Sequence, residues 1–171
     1  MDELDRGMAI SVQGPERERI LRLFHEQMSR WAVALPEVEP LVLDFGLGEF
    51  ERTGLIECWI ANERAAGYCG KYLFLFDGQC CATHHHIEKT ETFFVVKGSL
   101  EVTGRGSPMV LREGDVLRLE PGQAHGMKGL GPCLFLELST PCSIEDNVFE
   151  DGRIPIGRGA GRPAGTGGSG V

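Results

Sequence analysis

The sequence predicts an all-β protein, a sandwich or barrel of short strands preceded by one helix. From about residue 38, short runs rich in Val, Leu, Ile and Phe are separated by glycine turns, as in TGLIECWIAN and YCGKYLFLF. One amphipathic segment precedes these runs, and no second long helical pattern follows them. Many short strands without intervening helices are typical of antiparallel sandwiches and barrels.

The predicted helix runs from Pro15 to about Leu35, and segment 1–37 is expected to be a loose lead-in followed by this helix packed on the barrel. Proline suits the first turn of a helix, and Pro36 marks its end. Apolar residues recur at steps of three and four along it: Ile20, Leu21, Phe24, Met28 and Trp31. The helix is expected to cover the barrel or a second subunit.

The rest of the chain divides into a barrel and a tail. Segment 38–155 contains the strand-like runs and is predicted to be the barrel. Segment 156–171 is rich in glycine and has little that is apolar to bury, so a disordered tail is expected there.

Composition narrows the classes of partner and compartment. The net charge of -8 argues against nucleic acid or an anionic membrane as the main partner. No apolar run approaches membrane-spanning length, and the acidic start MDELDRGMAI does not resemble a signal peptide. The six cysteines form no CxxC pair and most lie in apolar strands, which indicates reduced thiols in a cytoplasmic protein.

The histidines predict a divalent metal site. His84 and His86 are one residue apart, so on a strand their side chains share a face while His85 points to the other. Glu91 opens the next strand-like run, and His125 follows a Pro-Gly turn. Three imidazoles and one carboxylate would leave two positions of an octahedral metal for substrate or water.

Two charged residues interrupt runs that should be apolar. Lys71 lies within YCGKYLFLF and Glu137 within CLFLELS, and burying an unpaired charge costs several kcal/mol, roughly. Either these side chains face solvent or a polar cavity near the metal holds them. The alternation of side chains along a strand cannot distinguish these two orientations, because both faces of these strands are apolar. Lys89, two residues before Glu91, is a third candidate, the alternative being an exposed loop lysine.

Two motifs resemble those of the cupin superfamily. The spacing of glycine, histidine and glutamate in GQCCATHHHIEKTETFFVVKG is similar to the first cupin motif, and GDVLRLEPGQAH resembles the second. The asparagine that the family often has after the second motif is absent from GMKGLG, but it is not a ligand. The resemblance implies a cupin β-barrel of the jelly-roll type, whose sheets often pair to form a homodimer. It also implies these metal ligands: His84, His86, Glu91 and His125.

A closer resemblance, over about residues 40–155, is to the D-lyxose ketol-isomerase family. It follows DFGLG, YCGKYLFLF, GQCCATHHH, KTETF, EPGQAH, LELST and FEDGRI in order. It implies a bound divalent metal, usually Mn(II), although the ligand set also suits Zn, Fe, Co or Ni. It further implies functional roles for Lys71, Lys89 and Glu137, and substrate binding or pocket closure by Asp151 and Arg153.

The resulting hypothesis is a metal-dependent aldose–ketose isomerase of the D-lyxose/D-xylulose or D-mannose/D-fructose type. Glu137 would carry a proton between C2 and C1, and Lys71 or Lys89 would face the developing oxyanion. Burial and the metal's charge are expected to lower the pKa of such a lysine. A direct hydride shift remains an alternative mechanism. An Fe(II) cupin dioxygenase and a non-enzymatic sugar-binding cupin are the alternative functions.

Overall fold

Two six-stranded sheets pack against each other in the computed structural model, which describes residues 3–104 and 106–159. Their elements, in chain order, are α1 (Glu3–Ala9), α2 (Gly14–Trp31), β1 (Leu41–Leu43), β2 (Leu55–Glu63), β3 (Tyr68–Leu75), β4 (Cys80–His86), β5 (Glu91–Lys97), β6 (Ser99–Gly104), β7 (Met109–Arg112), β8 (Val116–Leu119), β9 (His125–Gly129), β10 (Cys133–Ser139), a 3-10 turn (Ile144–Asp146), β11 (Asn147–Phe149) and β12 (Arg158–Gly159). This architecture confirms the all-β prediction.

The first sheet has the order β1-β2-β3-β10-β5-β8, and the second has the order β12-β11-β4-β9-β6-β7. Every pair in them is antiparallel except β11 with β12. In the first sheet Glu137 lies directly opposite Lys71 on one side and Phe93 on the other. Directly opposed residues share a face of a sheet. These three side chains therefore point the same way, into the space between the sheets.

The core between the sheets is apolar and continuous. Leu73, Phe93 and Phe135 of the first sheet contribute to the same cluster as Leu100 and Met127 of the second. All of them are buried. At about 25 cal/mol per Å² of apolar surface removed from water, this burial is the main contribution that holds the sheets together.

Helix α2 packs on the outer face of the first sheet. Its buried side chains share a second apolar cluster with Ile56, Phe74 and Leu134, and the rings of Phe24 and Phe74 lie 5.1 Å apart. The helix ends at Trp31, four residues before the predicted end. The reason is that the next residue, Ala32, takes a left-handed conformation, with φ of 52°.

Helix α1 lies within the predicted lead-in and was not expected. Its Gly7 faces Leu41, and a Cβ atom added at Gly7 would lie only 3.1 Å from Cδ1 of that leucine. Glu3 accepts a hydrogen bond from the backbone N–H of Ile144 at 2.8 Å and pairs with Arg64 at 3.1 Å. A seven-residue helix carries too little periodicity to be recognised in a sequence.

The first residues of the predicted tail lie against the barrel. Ile156 packs on the core, and strand β12 pairs with β11. Residues 160–171 lie outside the described residues, and so does the prediction of disorder made for them. Among the described helices, none combines the length and the apolar character needed to cross a membrane.

Candidate metal centre and catalytic cavity

The four predicted metal ligands meet between the two sheets. His84 and His86 occupy alternate positions of β4, while Glu91 and His125 are the first residues of β5 and β9. Their candidate ligand atoms all lie within 4.8 Å of one another, and all four side chains are buried. His85 is only half-buried, as expected for the opposite face of the strand. The period of the strand thus selects the two histidines that could hold a metal.

Antiparallel pairing and one tight loop bring the ligands together. In the β4–β9 pair His84 lies opposite His125. The loop between β4 and β5 is held by Asp146, whose carboxylate accepts hydrogen bonds from the N–H groups of residues 87, 88 and 89 at 3.1, 2.8 and 3.0 Å. Glu91 therefore enters from the other sheet at a defined place. Sequence reasoning did not identify Asp146, since only the folded chain brings it to this loop.

Several ligand atoms lack the hydrogen bonds that buried polar atoms normally make. His125 Nε2, both ring nitrogens of His86 and Glu91 Oε1 are buried without such a partner in the described structure. His125 Nε2 lies 2.9 Å from Glu91 Oε1, but the two atoms do not have hydrogen-bond geometry. Such orphaned atoms are costly. The residues therefore fit a divalent ion, which would satisfy them together.

Backbone carbonyls orient two of the imidazoles. His84 Nδ1 lies 2.8 Å from the carbonyl oxygen of Ala82, and His125 Nδ1 lies 3.0 Å from that of Gln123. Since a carbonyl can only accept, Nδ1 carries the proton in each ring. Each Nε2 is then left with its lone pair directed toward the cluster, which is the usual arrangement of a ligating histidine.

The protonation states also suit a metal. Burial, with the neighbouring His125 and His86, holds the pKa of His84 well below 6.5. Burial likewise lowers the pKa of His86. For Glu91 burial acts in the opposite sense and would raise the pKa, but the pKa lies well below 4.5, with the charge of Lys89 as the main cause that lowers it. Neutral imidazoles and an ionised carboxylate are the forms that bind a metal.

The three charged residues that the sequence left undecided form a buried chain beside this cluster. Lys89 Nζ lies 2.8 Å from Glu91 Oε2 and 2.6 Å from Glu137 Oε1. Lys71 Nζ lies 3.4 Å from Glu137 Oε2, and Ser139 Oγ donates to Glu137 Oε1 at 2.9 Å. All three charged residues are buried. They therefore occupy the cavity and do not face solvent.

These contacts determine the charge of each group. Burial alone would raise the pKa of Glu137, but Lys71 and Lys89 outweigh it and hold the pKa below 4.5. Burial would lower the pKa of both lysines, yet their values are raised above 10.5. Glu137 and Glu91 raise the pKa of Lys89. The pKa of Lys71 is raised by Cys142, once that thiol ionises at high pH, and by Glu137 and Glu57. Without a metal, the carboxylates on either side thus outweigh burial; the expectation of a lowered lysine pKa refers to the metal-bound site and stays a prediction.

Two further residues of the cavity were missed in the sequence. Trp59 Nε1 donates to Glu57 Oε2 at 2.6 Å, and the same oxygen lies 3.6 Å from Lys71 Nζ. The Lys71 ammonium also lies 4.8 Å from the centre of the Trp59 ring. Glu57 and Trp59 are two apart on β2, so strand periodicity would have placed them on one face. Only the pairing with β3 shows that this face meets Lys71.

The cavity that these residues line is closed on several sides and has a volume of about 80 Å³. Helix α1 contributes Glu3 and Gly7 to its lining, and the C-terminal segment contributes Ile144 and Ile156. Its remaining lining is largely apolar: Leu41, Leu43, Leu55, Leu73, Phe93, Met127 and Phe149. The charged groups of the lining therefore follow the first sheet and the loop before β5, while the three histidines face them from the second sheet.

Asp151 and Arg153 do not line this cavity. They form an exposed ion pair with Nη2 2.7 Å from Oδ2, and Arg153 also reaches Glu49 at 3.3 Å. The pair lies just before Ile154, which is buried, and Ile156, which lines the cavity. In this structure it is therefore the following segment, and not the pair itself, that reaches the site.

The thiols do not form disulfides. All six cysteines lie within the described ranges and are free, and only Cys80 is not fully buried. Burial raises the pKa of Cys133 to about 12 and that of Cys142 to about 11. Protonated, buried thiols are chemically inert, so these cysteines act as small core residues.

Comparison with known proteins agrees with this fold. Residues 77–139 match the Cupin domain family. The chain is 32% identical over 142 residues to the D-lyxose/D-mannose isomerase of Thermosediminibacter oceani, an alignment that covers 66% of this chain and 77% of that protein. A mutant L-ribose isomerase from Acinetobacter sp. DL28, solved in complex with L-ribose, superposes with a TM-score of 0.63. The two chains are 18% identical, and the superposition covers 77% of this chain and 82% of the L-ribose isomerase. At that identity the likeness shows a shared fold alone. The chain therefore belongs to the family of cupin sugar isomerases that includes the D-lyxose/D-mannose isomerase.

Proposed function

We propose that this protein is a metal-dependent aldose–ketose isomerase acting on free sugars of the D-lyxose/D-xylulose or D-mannose/D-fructose type. The observation that carries the proposal is a buried carboxylate, Glu137, held between Lys71 and Lys89 beside four clustered metal-ligand residues. A dioxygenase or a binding module has no need of this lysine–glutamate chain. The name of the 32% identical relative supports the choice of sugars.

The four ligand residues would hold the metal: His84, His86, Glu91 and His125. We propose Mn(II), and the same donor atoms suit Zn, Fe, Co or Ni. When bound, the ion supplies a Lewis acid that polarises the sugar carbonyl.

Glu137 is the proposed proton carrier. Its ionised carboxylate takes the proton from C2 of the aldose, and the electron pair of the broken C–H bond forms the C1–C2 double bond of an enediolate. Return of a proton from Glu137 to C1, with the proton of the O2 hydroxyl passing to O1, gives the ketose, with its carbonyl at C2. The contacts from Ser139 and Lys89 both fall on Oε1. They fix the orientation of the carboxylate during both transfers.

The two lysines act as fixed positive charges. Lys89 lies between Glu137 and Glu91, so its ammonium stabilises negative charge that develops on the oxygens of the reacting carbons. Lys71, on the other side of Glu137, holds that carboxylate in place. The apolar lining keeps water from the enediolate, which would otherwise be protonated by solvent.

Asp151 and Arg153 are proposed to act on pocket closure and not on the chemistry. Their ion pair and the contact to Glu49 hold the chain just before the segment that carries Ile156 to the cavity. Replacing Arg153 by alanine is expected to raise KM with little change in kcat. An equal fall in kcat would place the arginine in the chemistry itself.

A homodimer is proposed to form through the outer face of the first sheet. Beside the area covered by α2, this face carries large apolar side chains that are between 39% and 62% exposed: Ile60, Tyr68, Phe94, Val116 and Leu138. A patch of this kind marks an interaction surface. Sedimentation velocity should give a dimer for the wild type and a monomer for Leu138→Lys. A wild-type monomer at micromolar concentration would contradict the proposal.

A cytoplasmic location is also proposed, and it rests on the cysteines. All six are free in the structure, as a reducing compartment requires. Localisation of a tagged chain by cell fractionation tests it.

The test of the function is an NMR assay in D2O with Mn-loaded protein and a panel of free pentoses and hexoses. Conversion of an aldose to its ketose is the expected result, with partial deuterium at C1 of the product, because the proton held by Glu137 can exchange with solvent before it is returned. Conversion without deuterium would still support an isomerase, and it would favour a hydride shift or a base shielded from solvent. Oxygen uptake, or saturable binding without conversion, would instead support the dioxygenase or the binding module.

A further inference from the structure

The end of the cavity away from the metal-ligand cluster has a polar group that the proposed chemistry does not use. Glu57 lies on β2 opposite Leu41, lines the cavity, and has 13% of its side chain exposed. Trp59 Nε1 donates to its Oε2 at 2.6 Å. The carboxylate is therefore held in one orientation while part of its surface stays open to the cavity.

Glu57 also extends the chain of alternating charges along one wall. The order is Glu91, Lys89, Glu137, Lys71 and Glu57, with successive nitrogen–oxygen distances of 2.8, 2.6, 3.4 and 3.6 Å. The aliphatic part of the lining belongs largely to the same sheet, and the opposing sheet contributes the three histidines, Met127 and Phe149. The wall of alternating charges is where a polyhydroxylated ligand finds hydrogen-bond partners. Its metal end and its Glu57 end are separated by Glu137.

We propose that Glu57 accepts a hydrogen bond from a hydroxyl on the part of the sugar remote from the reacting carbons. This inference rests on the proposed function, since it takes the carbonyl end of the sugar to lie at the ligand cluster and Glu137. The carbon atoms that can reach Glu57 are then those at the other end of the sugar. Glu57 thereby contributes to selection among substrates and not to proton transfer.

The charge at this end further defines the substrate class. Glu3 of α1 lines the same cavity, but its carboxylate is paired with Arg6 and Arg64. A phosphate on the remote end of a sugar would be brought against the Glu57 carboxylate, with Lys71 already paired to Glu137 and Glu57. The site is therefore suited to neutral, unphosphorylated sugars that carry a terminal hydroxyl.

The experiment compares Glu57→Gln with wild type on a long and a truncated aldose. D-lyxose reaches the remote end of the cavity, whereas D-glyceraldehyde has only the reacting carbons and one more. For Mn-loaded protein, kcat/KM for D-lyxose should fall about tenfold to a hundredfold, as for loss of a hydrogen bond to a charged group. For D-glyceraldehyde it should change less than about twofold. Glu26→Gln, on the exposed face of α2, is the matched control.

Other outcomes overturn the inference. Equal losses on the two substrates would mean that Glu57 acts through Lys71 on the chemistry, and no loss on either would mean that it does not contact the sugar. Trp59→Phe keeps an aromatic ring and removes the hydrogen-bond donor to Glu57. It should lower kcat/KM for D-lyxose about threefold and leave that for D-glyceraldehyde nearly unchanged. This variant gives the answer if Glu57→Gln fails to fold.

A binding measurement separates this inference from the proposed function. Xylitol has no carbonyl and cannot react, so its dissociation constant is measured by calorimetry whether or not any sugar is converted. If wild type turns over no aldose but binds xylitol at least tenfold more tightly than Glu57→Gln, the isomerase proposal fails and the Glu57 site stands. Equal dissociation constants in an active enzyme overturn the Glu57 site alone. A wild type that binds neither D-lyxose nor xylitol overturns both.

Discussion

Replacing Glu137 by glutamine tests the central step of the proposed mechanism. The amide has nearly the same shape, and its oxygen can still accept the Ser139 hydroxyl, but it cannot take a proton. Positioned acid–base groups contribute about 10²–10⁴ to a rate, which is the expected fall in kcat. The metal content should stay at that of wild type, because Glu137 is not among the four clustered ligand residues.

The same change should cost stability by an amount that the contacts allow us to bound. Lys89 and Lys71 lose a carboxylate that lies 2.6 and 3.4 Å from their ammonium groups. Breaking a buried ion pair costs about 3–5 kcal/mol. Since Glu91 remains 2.8 Å from Lys89 and Glu57 remains 3.6 Å from Lys71, we expect the lower end, about 3 kcal/mol. At about 2–4 °C per kcal/mol for a chain of this size, the melting temperature should fall by about 6–12 °C.

The assay measures kcat, bound metal and melting temperature on the same preparation. Glu26→Gln, on the exposed face of α2, should match wild type in all three. A metal-loaded, folded Glu137→Gln protein whose kcat stays within about twofold of wild type would refute the role of Glu137. A loss of activity that is restored by adding metal would instead show that the change acts on the ligand cluster.

Three further predictions concern the ligands, the titration of the site and the packing of α2. His86→Asn should abolish stoichiometric binding of Mn(II), measured by plasma mass spectrometry after dialysis, whereas His85→Asn should retain it because its side chain lies on the other face of the strand. In metal-free protein, the folded pKa values of His84 and His86 lie below 6.5, so the unfolded chain binds protons that the folded chain does not. Stability measured by urea unfolding in EDTA should therefore be full above pH 6.5 and fall below it, by up to about 2.7 kcal/mol per pH unit for the two groups; a flat profile between pH 7 and 5 would contradict this. Phe24→Ala, which removes a fully buried ring against Phe74, should cost about 3–5 kcal/mol in chemical denaturation, and the neighbouring exposed Leu23→Ala less than about 1 kcal/mol.

The sequence by itself determined the all-β class, the selection of His84 and His86 over His85, and the family. These features depend on local order: side chains alternate along a strand, and glycine turns separate one strand from the next. The two remaining predicted ligands, Glu91 and His125, were named from their motif spacing. The sequence also identified Lys71 and Glu137 as charges out of place in apolar strands, although it could not tell which way they point.

Only the tertiary structure decided what those charges contact. Glu137 meets Lys71 because β10 pairs with β3 in one particular register, and it meets Lys89 because Asp146 holds the loop after β4. The place of Glu57 in the cavity depends likewise on strands that are distant in the sequence. Helix α1 is too short to be stable by its own propensity and exists through its contacts with the barrel. Long-range register and tertiary burial leave no periodic trace in a single sequence, and for that reason the chain of charged residues along the cavity and the contribution of α1 to its lining appeared only in the folded chain.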